Sequence, residues 1–232
     1  VALARHKQAL KHYISQGNAK WAARTYNNIG YLLRRKNDRN KALEAYGEVE
    51  AILAQSKGNE LLSSQITLAR ALLDLGEVQR AREHAMDAHE ATESMGDAAL
   101  HARAQAVLGR YYSKIEQSEL AMFHYTAALE AMNEAGDLQA LVEITILLGE
   151  VLHDAGRTED AMEQYREALV IAEANDLRMQ IGELLTRLGG AAPDRQGRME
   201  YLQRALSVFR ELGARSRMKE VQMMVHRAVM GR

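Results

Sequence analysis

Three cations in the middle of the chain have a spacing that suits the binding of anions. Arg103 and Arg110 are seven residues apart, which is two turns of a helix, and Lys114 follows one turn later. Such a row could hold the carboxylates of another chain, because the planar guanidinium of arginine takes a carboxylate through two parallel hydrogen bonds. The same residues also fit an ordinary solvated helix face with internal charge pairs.

Residues that would support catalysis do not converge in this sequence. His84 and His89 are five residues apart and do not share a helix face, and Ala91-Thr92-Glu93 interrupts a zinc-type His-Glu-x-x-His motif. Gly189-Gly190 precedes no Lys-Ser/Thr pair of a phosphate-binding loop, and no Gly-x-Ser-x-Gly elbow occurs. We therefore expect a protein that is not an enzyme, with no catalytic residue, no metal site and no cofactor.

The composition predicts helices as the elements that position these side chains. The 232 residues include one proline, Pro193, and many strong helix formers, and no segment shows strand alternation. No apolar run approaches the 18 residues of a membrane span. The chain has no cysteine, which is typical of a reducing compartment, so we expect a cytoplasmic protein.

A repeat of about 40 residues runs through the chain. Its small anchors are Ala42, Ala81, Ala121 and Ala161, at spacings of 39, 40 and 40. Twelve residues before each anchor stands a second small residue, in the pairs Ile29-Gly30, Leu68-Ala69, Leu108-Gly109 and Leu148-Gly149. Boundary pairs such as Gly17-Asn18, Gly58-Asn59 and Asn175-Asp176 have the residue types of helix caps. Each repeat is thus predicted to form two helices of roughly 16–18 residues, which approach each other closely where side chains are small.

The repeat resembles the tetratricopeptide repeat, in which a Leu-Gly pair is followed by an alanine and then an aromatic residue. Ile29-Gly30 to Ala42 to Tyr46 fits this pattern, as does Leu148-Gly149 to Ala161 to Tyr165. The chain departs from it in its longer period, in a degenerate second unit and in the missing closing proline. The resemblance implies an all-α, right-handed superhelical solenoid of antiparallel helix pairs, with a concave groove lined by the first helix of each pair.

The repeat boundaries divide one continuous domain into seven segments. Residues 1–17 are the second helix of a truncated or capping repeat, 176–213 are a degenerate repeat, and 214–232 are a capping helix; the complete repeats are 18–57, 58–95, 96–135 and 136–175. Truncation of a longer array is the simpler interpretation of residues 1–17, because terminal caps usually lose the repeat pattern. For the last helix, a basic surface that binds a partner or membrane is the alternative to a simple cap.

The resemblance implies which positions of each first helix face the concave groove, and the residues at these positions are candidates for partner binding. They are Arg24, Asn27, Tyr31, Arg34, Arg70, Arg103, Arg110, Lys114, Glu150 and His153. The N-terminal half of this set is basic, and the C-terminal half lies among acidic positions such as Glu143, Asp154 and Glu183. We expect the basic half to bind a protein or peptide that carries an acidic segment.

The charge distribution along the chain is uneven although the net charge is −1. Residues 1–40 sum to +8, residues 41–194 to −15 and residues 195–232 to +6. A net charge near zero argues against direct binding of nucleic acid. The predicted function is therefore a non-catalytic scaffold or adaptor module, part of a larger protein. A ligand- or peptide-sensing regulatory domain of a bacterial signalling or transcription regulator is one alternative, and a self-assembly module is another.

Overall fold

The computed structural model of the protein describes residues 2–56 and 59–230. These ranges hold twelve α-helices and no strand. The predicted repeat boundary at Gly58 lies outside the described residues. The chain divides into two compact units, Val1–Glu116 and Gln117–Arg232. The division falls at a turn inside the predicted repeat 96–135, where the sequence pattern shows no break.

Unit 1 contains the first six helices. They are α1 (Ala2–Ser15), α2 (Ala19–Arg35), α3 (Arg39–Gln55), α4 (Leu62–Asp74), α5 (Val78–Glu93) and α6 (Ala98–Lys114), with a 3₁₀ turn at Asn59–Leu61 before α4. Each helix packs against the next, and α4 also contacts both α2 and α6. The first helices of successive repeats therefore form one layer, α2, α4 and α6.

Unit 2 contains the other six helices. They are α7 (Ser118–Ala135), α8 (Leu138–Asp154), α9 (Thr158–Ala174), α10 (Arg178–Ala191), α11 (Arg195–Glu211) and α12 (Arg215–Met230). Consecutive helices again pack side by side, and α8 also contacts α10. The apolar side of α12 rests on this unit through the buried residues Val221 and Ala228, as expected of a capping helix.

Local sequence explains where the helices begin and end. Asn18, Asp38, Asp97 and Asp137 each accept a hydrogen bond from a backbone N–H in the first turn of the following helix. Gly136 ends α7 at φ 70°, in the left-handed region that favours glycine. The predicted cap at Asn175-Asp176 differs: Asp176 itself takes φ 50°, and α10 begins after Leu177 without a side-chain cap.

The small residues of the repeat permit close contact between the helices of a pair. All four alanine anchors are fully buried. A Cβ atom added at Gly30 would stand 2.4 Å from Cε1 of Tyr46, and one added at Gly149 would stand 2.3 Å from Cε1 of Tyr165. These distances confirm the predicted contact, in which a small residue of the first helix receives the aromatic ring of the second.

The degenerate repeat 176–213 uses the same packing with different residues. A Cβ at Gly182 would stand 2.5 Å from Cε1 of Phe209, and one at Gly189 would stand 2.7 Å from Leu202. Arg198, which occupies the expected alanine slot, donates a hydrogen bond to the carbonyl of Ala192 at 3.0 Å. The helix pair thus keeps its close approach although the spacing of the sequence motif has shifted.

Candidate functional site

The layer of first helices in unit 1 concentrates positive charge. We call the exposed side of α2, α4 and α6 the unit-1 face. These three helices contain one carboxylate, Asp74, and eight Lys or Arg residues: Lys20, Arg24, Arg34, Arg35, Arg70, Arg103, Arg110 and Lys114. An excess of this size attracts anionic groups to the face.

Asp74 connects the three helices of the unit-1 face. Its Oδ2 atom lies 3.0 Å from Nη1 of Arg34 on α2, and its Oδ1 atom lies 3.1 Å from Nη1 of Arg110 on α6. The carboxylate therefore neutralises part of two arginine charges and holds both guanidinium groups in place. Two of the predicted groove arginines are thus internally paired, and each keeps further N–H donors for a ligand.

The remaining basic candidates on α2, α4 and α6 are exposed. Arg24 stacks over the ring of Trp21 at 5.1 Å, and Arg34 lies 5.6 Å from the ring centroid of Tyr31. Such contacts orient a guanidinium without neutralising its charge. Arg103 and Lys114 are exposed, as is Arg70, which forms no ion pair within the described part of the chain.

One of the predicted groove positions is buried instead of facing solvent. Asn27 is 4% exposed, and its Nδ2 donates to the carbonyl of Ser64 at 3.0 Å, so it joins α2 to α4. On the other first helices, Ile66 of α4, Ile146 of α8 and Thr186 of α10 are buried as well. The predicted groove position at Asn27 thus lies inside the helix layer, because neighbouring first helices cover one side of each helix.

Tyr46 lies at the base of the unit-1 face. Its ring is buried beneath Gly30, and burial raises the pKa of its hydroxyl to about 12, with Arg34 and Arg70 opposing the increase and Asp74 adding to it. The hydroxyl therefore stays protonated at neutral pH and contributes no charge to the face.

Unit 2 carries a cleft of about 360 Å³ between its first helices and α12. We call it the unit-2 cleft. Its charged lining residues are Glu150, Asp154, Arg187 and Glu220, and its other walls include His153, Tyr165, Thr186, Gly190, Ala191 and Met224. The two acidic-half candidates of the sequence, Glu150 and His153, are thus brought together here.

Ion pairs account for most of the charges around the unit-2 cleft. Nη2 of Arg187 lies 2.5 Å from Oε1 of Glu150, and Arg217 links Glu220 at 3.0 Å to Glu183 at 2.7 Å. His153 is exposed, and its Nδ1 lies 3.3 Å from the hydroxyl of Thr158. Since Arg217 is held by carboxylates of α10 and α12, it is not one of the free cations expected on the outer side of α12.

A third group of charged side chains lies between α3 and α5 and was not predicted from the sequence. Glu50 accepts two hydrogen bonds from Arg80, at 2.7 and 3.1 Å, and lies 3.2 Å from Nε2 of His84. Burial opposes ionisation of Glu50, but the hydrogen bonds from Arg80 and His84 lower its pKa overall. These residues line a cleft of about 580 Å³.

These ion pairs share a sequence signal. Asp74 is 40 residues after Arg34 and 36 before Arg110, and Arg187 is 37 residues after Glu150. A search for opposite charges about one repeat period apart would have found them. Within residues 2–56 and 59–230, no group of three His, Cys, Asp or Glu side chains could hold a metal ion, and no helix is long and apolar enough to cross a bilayer.

The fold and the site define an all-α repeat protein whose first helices present charged side chains. Comparison with known families agrees with this class. Models of the tetratricopeptide repeat match residues 23–52, 62–85 and 142–167, so these segments have the sequence pattern of that repeat. No curated protein matches the sequence.

Solved structures with the same fold have low sequence identity to the chain. Aspartyl phosphate phosphatase F from Bacillus subtilis aligns over 94% of this chain and 61% of its own, with 12% identity and a TM-score of 0.76. A signal transduction ATPase with a tetratricopeptide repeat sensor, from Pyrococcus horikoshii, aligns over 96% of this chain and 34% of its own, with 17% identity and a TM-score of 0.76. A Rap protein complexed with competence and sporulation factor aligns over 99% and 69%, with 16% identity and a TM-score of 0.63. The chain spans about three fifths of the first structure and one third of the second.

Proposed function

We propose that this chain is a non-catalytic interaction module that binds an acidic segment of a peptide or partner protein on the unit-1 face. The observation that carries the proposal is the charge composition of α2, α4 and α6, with eight cations and one carboxylate. The chain as a whole has a net charge of −1, so this excess is a property of one layer of helices.

The geometry of the face supports recognition of carboxylates. Asp74 fixes Arg34 and Arg110, so these side chains lose less conformational freedom when a ligand binds. Arg70 lies on α4 between them, exposed and without an ion pair in the described ranges. A row of arginines on adjacent helices matches successive acidic side chains of an extended or helical segment.

The structural comparisons support peptide binding by this fold. One similar structure is a Rap protein in complex with competence and sporulation factor, and another is a Rap conjugation gene regulator in complex with the Phr* peptide, at a TM-score of 0.53. We carry over the general mode, a short peptide held by repeats, and place it in a cytoplasmic module.

The test measures fluorescence anisotropy of a labelled 12-residue Gly/Ser peptide that carries four glutamates, beside the same peptide with four glutamines. We expect wild type to bind the glutamate peptide and to lose affinity as salt is added. Arg70→Gln should weaken binding about two- to fivefold, as for one exposed charge. The Arg103→Glu/Arg110→Glu variant should abolish binding with helicity unchanged.

Arg166→Gln is the matched control, because Arg166 is an exposed arginine on α9 in unit 2. It removes the same charge from the protein and should leave the affinity for the glutamate peptide unchanged. Equal binding of the glutamate and glutamine peptides would overturn the proposal. Equal effects of Arg70→Gln and Arg166→Gln would show that only net charge matters, which would also overturn it.

A second candidate function is a sensor domain in a larger signalling protein. The observation in its favour is the Pyrococcus horikoshii ATPase, whose tetratricopeptide repeat sensor is one part of a longer chain. Under this alternative, the bound peptide or ligand would control an output domain of the same protein. Ligand-dependent activity of the full-length protein would distinguish a sensor from a scaffold.

A further inference from the structure

The unit-2 cleft has an excess of negative charge that its own ion pairs do not remove. Three carboxylates and one arginine line it, and Arg187 is held by Glu150. Glu220 is likewise paired, with Arg217. Asp154 is exposed at the end of α8 and forms no ion pair or hydrogen bond in the described parts of the chain. One carboxylate of the cleft thus remains without a counter-ion.

A tyrosine hydroxyl without a hydrogen-bond partner among the described residues lines the same cleft. Tyr165 is 2% exposed, and its ring packs under Gly149, yet the residue lines the cleft. Its hydroxyl forms no hydrogen bond with any described residue. The oxygen is not among the buried atoms of the described residues that lack a partner, so it is accessible from the cleft while the ring beneath it is buried. The hydroxyl is therefore available to a ligand that enters the cleft.

From these two observations we infer that the unit-2 cleft binds an arginine side chain of the peptide recognised by this protein. The guanidinium carries five N–H donors and no acceptor, so it can give two parallel hydrogen bonds to Asp154 and another to the Tyr165 hydroxyl. The aliphatic part of the side chain would lie along Met224 and Ala191, which supply apolar wall to the cleft. This inference rests on the proposed function and adds a second, oppositely charged site.

The electrostatic environment of Tyr165 agrees with a cationic ligand. Burial raises the pKa of its hydroxyl well above the ordinary value, and the nearby charges of Glu150 and Asp154 raise it further against Arg187. At neutral pH the hydroxyl is thus protonated, with its oxygen free to accept a hydrogen bond from a cation.

The equivalent tyrosine of unit 1 has surroundings of opposite charge. Tyr46 and Tyr165 each stand 16 residues after the glycine that receives their ring. Four and five residues after Gly30 are Arg34 and Arg35, whereas the corresponding positions after Gly149 are His153 and Asp154. The same packing position thus has arginines beside it in one repeat and an aspartate in another. This exchange argues that the charge of the unit-2 cleft serves recognition, since packing alone does not require it.

The experiment uses a labelled 12-residue Gly/Ser peptide with four arginines and an otherwise identical peptide in which citrulline replaces arginine. Citrulline keeps the shape of arginine and removes its charge. We expect wild type to bind the arginine peptide at least about tenfold more tightly than the citrulline peptide. Asp154→Asn should weaken binding of the arginine peptide about tenfold, and Tyr165→Phe about threefold with the ring packing retained.

Glu167→Gln is the matched control, because Glu167 is an exposed carboxylate on α9 outside the cleft. It makes the same change of net charge as Asp154→Asn and should leave binding of the arginine peptide unchanged. Circular dichroism establishes that each variant remains folded. Equal binding of the two peptides by wild type, or equal effects of Asp154→Asn and Glu167→Gln, would overturn the inference.

Two further measurements complete the experiment. One distinguishes a peptide arginine from a free polyamine as the source of the cation, and the other distinguishes failure of this inference from failure of the proposed function. Spermidine offers ammonium groups without a peptide, and competition by spermidine at concentrations that match the arginine peptide would overturn the assignment to a peptide side chain. The glutamate peptide should bind wild type and Asp154→Asn equally. If it binds but the arginine peptide does not, the unit-2 assignment fails while the proposed function stands; if it does not bind, the proposed function fails by its own test.

Discussion

Replacement of Gly149 by alanine tests the packing on which the repeat depends. Gly149 lies inside α8, so helix propensity alone predicts that alanine would stabilise the protein by roughly 0.5–1 kcal/mol. The tertiary contact predicts the opposite sign. A Cβ atom at this position would stand 2.3 Å from Cε1 and 2.7 Å from Cζ of Tyr165.

The geometry sets the expected size of the effect. Ordinary van der Waals contact begins near 3.4 Å, so the added atom is more than 1 Å too close. The obstacle is a ring that is 2% exposed, so it cannot turn aside without displacing α8 from α9. Forced insertion into a packed core costs roughly 1–3 kcal/mol. After subtraction of the helix-propensity gain, we expect Gly149→Ala to lose about 1 kcal/mol of stability.

Urea unfolding followed by circular dichroism at 222 nm measures this loss, and thermal unfolding should show a Tm about 2–4 °C lower. Gly47→Ala is the matched control: Gly47 lies inside α3, and an added Cβ atom meets nothing within 4 Å. That variant should gain roughly 0.5–1 kcal/mol. Gly30→Ala repeats the test in unit 1, where fluorescence of Trp21 reports unfolding.

The result that would refute this reasoning is a Gly149→Ala protein as stable as Gly47→Ala. A second variant, at Tyr165, tests whether its ring is the cause of the loss. If the ring is the obstacle, Tyr165→Leu should reduce the loss caused by Gly149→Ala, and a double-mutant cycle measures that coupling. Additive losses would show that Gly149 is needed for a reason other than contact with Tyr165.

Two further predictions concern titratable groups of unit 1. Asp74→Asn should raise affinity for the glutamate peptide about two- to fivefold, because loss of the competing carboxylate outweighs the conformational freedom that Arg34 and Arg110 regain. It should change stability by less than about 1 kcal/mol, and weaker peptide binding would contradict this prediction. The pKa of His89 is lowered by burial first and by His101 as well, against the charge of Glu93. Because its pKa is about 6.5 when unfolded, His89 contributes stability that is present above about pH 6.5 and lost as the pH falls through the folded pKa. His89→Gln should therefore show a smaller fall in Tm between pH 7.5 and pH 5 than wild type, and equal falls would contradict the assignment.

The net charge of a long sequence segment does not reveal the basic layer that α2, α4 and α6 form. Residues 41–194 carry a net charge of −15, yet α4 and α6 lie within this range and contain four cations and one carboxylate. The acidic residues are concentrated on the second helices, such as α5 and α9. Folding sorts first and second helices into different layers, so a segment that is acidic on average presents a basic surface.

The groove positions predicted from the sequence differ in how far the structure exposes them to solvent. Arg70 and Arg110 lie on the face, whereas Asn27 is buried against Ser64. A polar residue type alone does not distinguish these positions. The difference arises because first helices pack side by side within a unit, as α2 and α4 do, and each covers part of its neighbour's surface.

The sequence by itself determined the features that are local or periodic. Helix caps such as Asp97, the 40-residue period and the small residues that receive Tyr46 and Tyr165 follow from chain neighbours or from the repeat. The tertiary structure alone decided which charges neutralise one another and which remain free. Arg34, Asp74 and Arg110 are separated by 40 and 36 residues and meet within 3.1 Å, whereas Asp154 finds no partner among residues 2–56 and 59–230. Ion pairing depends on distances that only the packing of successive repeats sets.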